Sequence, residues 1–206
     1  GAGGGSLAWI DGEGALRVGP TSASSVPGPA CYGRGGRLPA VTDANVVLGF
    51  LNRSHLLDGA MPIDAAAAHA AIEGTIAGPL KLPVHVAAYG IHEVANSTMV
   101  RAVQAVTSEI GRAPSDFTMI AFGGCCPVHA ASLALHAGVA NIVVPPACGV
   151  LSAFGLLFTR VEQRPVRTSP LRAAPAAPRK AHYTVDQLQH EAAQLLATRP
   201  SQRPAT

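Results

Sequence analysis

The chain has 206 residues, enough for one domain or two with a sizeable core. It is 48% hydrophobic, 13% charged and 4% aromatic, which excludes a mostly disordered chain and a coiled coil. The net charge of +3 arises in residues 160–206, whereas residues 1–159 are slightly acidic, so the body lacks the basic surface that nucleic-acid binding needs.

The cysteines and the hydropathy pattern restrict the compartment. No C-x-x-C pair occurs, which argues against a zinc knuckle and against a secreted disulfide framework. No apolar run could span a bilayer, and no signal peptide is visible, so we expect a cytoplasmic protein that does not bind membranes. The chain begins Gly-Ala-Gly-Gly-Gly without Met, which indicates a segment of a longer protein.

The first third predicts a hairpin and then a helix. Ser6–Ile10 and residues 15–18 are strand-like and flank an Asp-Gly-Glu-Gly turn. Residues 19–40 are a proline-rich loop. Thr42 is placed to cap a helix that starts at Asp43 and continues to about residue 51.

The middle of the chain alternates helices and strands. Residues 64–76 predict an Ala-rich helix closed by Gly78-Pro79, and Pro83 starts a long helix to about residue 110. Apolar runs at 117–122 and 141–144 predict two buried strands around a helix at 128–137, and 150–158 is helix-like. This order favours an α/β fold. Residues 168–180 have the composition of a linker, and Thr184 starts a capping box for a last helix, with a frayed end from residue 199.

The Gly123-Gly124 turn is the most informative local feature. It lies between a predicted strand and a helix, where two glycines allow a ligand to approach the backbone closely. Tight strand–helix packing explains the same pair without a ligand. His129 follows in the first helical turn, either as a packing group or as part of a nucleotide pocket.

Two further groups are candidates. Gly3, Gly4, Gly5 and Ser6 are able to cradle a phosphate with consecutive amides or line a substrate cleft, or they are a flexible end. Cys31 is favoured as a buried structural residue, since no histidine stands near it in the sequence, and no ligand spacing predicts a metal site.

Six strings occur in order along the chain, and together they carry a family resemblance: GAGGGSLAWID at 1–11, LRVGP at 16–20, PGPACYGRGG at 27–36, VTDANVVLGFL at 41–51, AFGGCCPVHAA at 121–131 and VPPACGVLSAFGLL at 144–157. The chain is similar to the hydantoinase A / 5-oxoprolinase family, which also includes ATP-dependent carboxylase subunits for acetone and acetophenone. The similarity covers about residues 1–160.

The resemblance implies a fold and a domain plan. The fold is α/β, part of an actin-like or sugar-kinase-like ATPase core with a mixed sheet and flanking helices. Residues 1–160 would be the C-terminal portion of that core, 161–181 a linker and 182–206 a helical tail. A hydantoinase B-type partner subunit or domain is implied as well.

The resemblance also implies a reaction and a site. Such enzymes use ATP and Mg²⁺ to phosphorylate the ring carbonyl of a small cyclic amide before hydrolysis. Gly123 and Gly124 match the turn that holds adenosine, with His129 beside it, and Asp43, otherwise a helix-capping residue, would be a catalytic carboxylate facing the cleft. The family's two phosphate loops are absent, so the metal ligands would lie mainly outside this segment and the segment alone would be inactive. Members of the family usually have Ala-Gly where this chain has Cys125-Cys126. A ketone carboxylase subunit and a non-catalytic nucleotide-binding remnant remain alternatives.

Overall fold

The structure, a computed structural model, describes residues 3–159, 166, 168 and 177–197. Its strands are β1 (Ser6–Ile10), β2 (Leu16–Ser22), β3 (His55–Leu56), β4 (Met61–Pro62), β5 (Thr118–Ile120) and β6 (Asn141–Val143). Its helices are α1 (Val41–Val47), α2 (Ala65–Ile72), α3 (Gly78–Leu80), α4 (Val84–Glu109), α5 (Cys126–Ala137), α6 (Leu151–Leu156) and α7 (Ala177–Ala197). The chain is therefore a mixed α/β protein.

The strands form three separate pairs within the described residues, not the single mixed sheet that we expected. β1 and β2 form the predicted antiparallel hairpin, and β3 pairs with β4. β5 and β6 are parallel, with Met119 opposite Ile142. Each of these strands therefore pairs with one other strand in the described residues.

Helix α1 starts earlier than the sequence indicated. Ala40 is its N-cap, and the Asp43 carboxylate accepts a hydrogen bond from the Ala40 amide. The prediction of Thr42 as the cap is wrong, because Thr42 lies inside the first turn and its hydroxyl bonds to another segment.

The second helical region also differs from the prediction. After α2 the chain continues through a π-helical segment, Glu73–Ala77, directly into α3. Gly78-Pro79 does not close the helix, since Gly78 keeps helical torsions of φ −58° and ψ −56° and Pro79 lies within α3. The end comes at Lys81, which adopts a left-handed conformation with φ 54°.

The main core lies where α4 packs on α1 and α2 beneath the hairpin. α4 confirms the predicted long helix, and its small residues let the helices approach closely. The fully or nearly fully buried apolar members of this core are Ala8, Val41, Ala44, Ile72, Ile76, Ala77, Ala87, Ala88, Ile91 and Ala95. This packing positions one end of α1 beside α5, where the candidate site lies.

The β5–β6 pair is more exposed than two apolar strands suggest. We predicted buried strands, but Ile120 is 57% exposed and Val143 46%. Parallel strands are normally covered on both faces. Here only two strands pair, and little of the described chain packs over them.

The last helix differs from the predicted linker and cap. α7 begins at Ala177, so Thr184 lies within the helix and does not start it. Most of the predicted linker and the predicted frayed end lie outside the described residues. The chain divides into two compact units, residues 1–154 and 155–206, with α7 in the second. Within the described ranges every helix is too short or too polar to cross a membrane.

Candidate functional site

The Gly123-Gly124 turn is open to solvent. Gly123 has φ 92°, a left-handed conformation that favours glycine, and its amide donates to the carbonyl oxygen of Cys148 at 2.8 Å. A Cβ on Gly124 would meet no atom within 4 Å. In the described part of the chain the amides of Gly124 and Cys125 have no acceptor. The turn is thus reachable by a ligand at the N-terminus of α5.

The N-terminal glycine segment forms a tight turn. The Gly3 amide donates to the Ser6 hydroxyl at 3.1 Å, and the Ser6 amide donates back to the Gly3 carbonyl at 3.0 Å. Two of the amides that we expected to cradle an anion therefore have partners inside the protein, while Gly5 bonds through its carbonyl to Ala23.

The two glycine segments meet at Gly4. Its carbonyl oxygen accepts hydrogen bonds from the Thr42 amide at 2.8 Å and the Thr42 hydroxyl at 2.9 Å. A Cβ on Gly4 would come within 2.7 Å of Thr42 Oγ1 and 3.3 Å of Cys125 Sγ. Only glycine fits, so the first turn of α1, the segment 3–6 and the turn before α5 converge on one point.

Asp43 lies inside this arrangement and not on a cleft. Its side chain is fully buried and accepts from three amides, those of Ala30 at 3.1 Å, Cys31 at 2.7 Å and Ala40 at 2.8 Å. The expectation that the carboxylate faces a cleft does not agree with this position, because its oxygens are directed at the loop before α1. The geometry favours the capping role, and a catalytic role for Asp43 has no support in these contacts.

His129 belongs to a buried polar network that joins three helices. Its Nδ1 donates to Asn96 Oδ1 at 2.7 Å, and its Nε2 accepts from Asn45 Nδ2 at 3.2 Å. Asn45 Oδ1 in turn accepts from His92 Nδ1 at 2.8 Å. The two imidazoles stack with centroids 4.5 Å apart and planes inclined by 13°. All four side chains are at most 1% exposed.

Both histidines in the network are held neutral. Burial, and then the neighbouring His92, lower the pKa of His129 to about 4. Burial lowers the pKa of His92 as well, partly offset by Glu93. A charged imidazole in this site would lose hydration without gaining an acceptor at Nε2. The network is therefore a neutral polar contact between α1, α4 and α5.

The thiols of Cys31 and Cys125 are not activated. Burial, and then the Asp43 carboxylate, raise the pKa of the Cys31 thiol, so it stays protonated as the structural interpretation requires. Burial, and then Cys126, raise the pKa of Cys125. In the described ranges no three metal-ligating side chains come together.

A groove of about 770 Å³ lies away from these residues, between β2 and α4. Its lining includes Trp9, Arg17, Thr98 and Arg101, and none of the predicted site residues. The Trp9 indole donates to the Gly19 carbonyl at 2.9 Å, which holds the ring at the rim of the hairpin.

The family follows from comparison with known proteins. The model of the family described as hydantoinase/oxoprolinase matches residues 1–165, which include every residue of the network and both glycine segments. The chain belongs to the hydantoinase/oxoprolinase family.

Relatives in the hydantoinase/oxoprolinase family have different named activities. The caprolactamase alpha subunit of Pseudomonas jessenii is 42% identical over 172 residues, covering 84% of this chain and 25% of the relative. The acetophenone carboxylase gamma subunit of Aromatoleum aromaticum is 43% identical over 156 residues, covering 75% and 21%. A crystal structure of the ATP-dependent caprolactamase from P. jessenii superposes with a TM-score of 0.73 at 36% identity, covering all of this chain and 30% of that one. The chain thus spans about a quarter of the length of these relatives.

Sequence reasoning placed His129 correctly at the start of α5 but missed its partners. Asn45 lies two residues after Asp43 in the first helix, and His92 lies in the predicted long helix. A signal was present, since His92 and Asn96 lie four residues apart on the apolar face of α4. Two polar residues at that spacing on a core-facing stripe indicate a buried network.

Proposed function

We propose that this chain is part of an ATP-dependent enzyme that opens a small cyclic amide, and that Gly123 and Gly124 hold the adenosine end of the nucleotide. The convergence of two glycine segments on Gly4, beside the open mouth of α5, supports this site. Membership of a family whose relatives include an ATP-dependent caprolactamase supports the chemistry.

The residues at the turn fit a nucleotide. Gly124 leaves space next to its backbone, and the amides of Gly124 and Cys125 are available as donors. The N-terminus of α5 adds a partial positive charge that favours the polar or anionic parts of a ligand. His129, fourth in α5, holds that first turn against α1 and α4.

When bound, ATP would supply the phosphoryl group that turns a resistant amide carbonyl oxygen into a leaving group. The chain's own residues would hold the nucleotide and the turn that faces it, with Gly3, Gly4, Gly5 and Ser6 as the opposite wall. Mg²⁺ would take its ligands elsewhere, because the described residues offer no carboxylate cluster. We propose Asp43 as a residue that positions the loop 30–40 and the first turn of α1, and not as the catalytic carboxylate.

The larger assembly is part of the same proposal. We propose that residues 1–160 complete an actin-like ATPase core together with chain outside these residues, and that a linker joins this core to a helical tail that includes α7. A hydantoinase B-type partner is proposed because the named relatives include an alpha and a gamma subunit.

A ketone carboxylase subunit is the second candidate. The acetophenone carboxylase relative, at 43% identity, matches as well as the caprolactamase relative at 42%. The two functions separate on substrate, because a carboxylase incorporates labelled bicarbonate into a ketone acid whereas the hydrolase opens a ring without it. Hydantoin, 5-oxoproline and caprolactam are the ring substrates to assay in the full-length protein with its partner.

The nucleotide site is tested by Gly124→Val in the full-length protein. Since a side chain at Gly124 meets nothing, the variant should fold normally while the valine fills the ligand space. Calorimetry should show ATP and ADP binding lost. Gly12→Val is the matched control, as Gly12 is equally open but lies in the hairpin turn. Unchanged ATP affinity in Gly124→Val would contradict this site. If the unmodified full-length protein binds ATP normally but turns over neither a ring nor a ketone substrate, the non-catalytic remnant is the function that remains.

A further inference from the structure

The hydrogen bonds of the buried network all run in one direction, and the Glu93 carboxylate fixes that direction. Asn96 Nδ2 donates to Glu93 Oε1 at 3.1 Å, and an ionised carboxylate only accepts hydrogen bonds. Asn96 must therefore present its oxygen to His129, whose Nδ1 must carry the proton. His129 Nε2 is then a lone pair facing Asn45 Nδ2. Each group fixes the orientation of the next.

The chain of hydrogen bonds ends at His92. Because Asn45 gives its amide nitrogen to His129, its oxygen faces His92 Nδ1, which must be the protonated nitrogen. His92 Nε2 is consequently a lone pair. It has no hydrogen-bond partner in the described part of the chain. Every fully buried side-chain nitrogen or oxygen in the described residues does have a partner, so Nε2 is not fully buried. Nε2 is thus the point where the almost fully buried ring still reaches solvent.

The surroundings of His92 suit a small ring. The imidazole contacts two rings, His129, stacked at 4.5 Å, and Phe50, tilted at 5.0 Å. Phe50 is 50% exposed, so this aromatic ring extends from the buried imidazole to the surface. A buried acceptor next to a half-exposed aromatic ring matches a ligand with an N–H donor on an apolar ring.

We propose that His92 Nε2 is a hydrogen-bond acceptor for the ring N–H of a cyclic amide, and that Glu93 is the positioning residue that presets it through Asn96, His129 and Asn45. This rests on the proposed function, since it names the contact that would orient the substrate there. The selectivity follows from the chemistry, because a lactam carries an N–H and a ketone does not.

The test uses two lactam probes, one with the N–H donor and one in which a methyl group replaces that hydrogen. The protein carries ¹⁵N-labelled histidine and is titrated with 2-pyrrolidone or with N-methyl-2-pyrrolidone, while the ring nitrogens of His92 and His129 are followed by NMR. Without ligand, both histidines should show one tautomer, protonated at Nδ1. 2-Pyrrolidone should shift the His92 Nε2 resonance, and the N-methyl compound should not. Equal shifts with both probes, or none with either, would overturn the acceptor site.

The role of Glu93 is tested by Glu93→Gln. A glutamine amide can donate or accept, so the chain can run in either direction and both histidines should show two tautomers. With about half of the molecules presenting the lone pair, 2-pyrrolidone affinity should fall about twofold. His136→Gln is the control, because His136 Nε2 contacts Glu93 Oε2 at 3.7 Å outside the network. A single unchanged tautomer in Glu93→Gln would overturn the preset. ATP binding is measured alongside, so failure of the nucleotide site and failure of the acceptor site give different results.

Discussion

His92 and His129 lie face to face in the interior, on helices α4 and α5, although they are 37 positions apart in the sequence. Their stacking and their shared partner Asn45 join the two helices to α1. Neutral imidazoles can pack in this way because neither must keep a hydration shell. The same contact makes the fold sensitive to acid.

We expect the free energy of unfolding to fall between about pH 6.5 and pH 4. The pKa of His129 is about 4 in the folded chain, below its ordinary value of 6.5, so the unfolded chain binds the proton first as the pH drops. Stability is therefore complete above the unfolded pKa and is lost as the pH falls, by up to about 3 kcal/mol. Urea unfolding at pH 7 and pH 5 measures the effect. His129→Gln should be less stable at pH 7 and show a smaller loss, and an identical pH slope would contradict the assignment.

Gly4→Ala should lower the free energy of unfolding, because Gly4 lies where the two glycine segments meet. The new Cβ would lie 2.7 Å from Thr42 Oγ1, which cannot easily move because it is bonded to the Gly4 carbonyl. A cost of about 1–3 kcal/mol is expected for such crowding. Thermal unfolding checks it, with Gly3→Ala as the neighbouring control, since a Cβ there meets nothing within 4 Å. Equal melting temperatures for the two variants would show that the contact is relaxed in solution.

Asp43→Asn should lower stability by about 2–4 kcal/mol. The amide replaces one of two oxygens that together accept three backbone hydrogen bonds, so a donor would face a donor. Asp64→Asn is the comparison, because Asp64 caps α2 through the single Ala67 amide and asparagine caps helices well. Chemical denaturation compares the two. If Asp43→Asn keeps its stability but loses turnover in the full-length protein, Asp43 is catalytic after all.

Val143→Lys should reduce self-association of the 206-residue chain. Ile120, Val143 and Val144 expose much of their apolar surface on or next to two paired strands, a surface that favours contact with other chains. Light scattering measures the change. Val106→Lys is the control, since Val106 is 63% exposed on α4 away from these strands. An equal effect of both substitutions would point to net charge and not to the strand surface.

Local patterns predicted much of the secondary structure. The hairpin, the long α4 and the strand–turn–helix around Gly123-Gly124 were all anticipated, because turn residues and apolar spacing act over a few residues. The ends of α1, α2 and α7 were not. There a distant hydrogen bond to Thr42, a π-helical continuation and an early start of α7 prevailed over the capping signals.

The sequence by itself determined the family, the helix and strand order and the position of the glycine turn. Only the tertiary structure decided that Asp43 points inward, that Gly4 meets Thr42 and Cys125, and that Asn45, His92, Asn96 and His129 share one network. The physical reason is the distance along the chain over which each interaction acts. Propensity and periodicity depend on residues that are neighbours in the sequence. These contacts depend instead on how helices α1, α4 and α5 cross, and packing over the whole core sets that crossing.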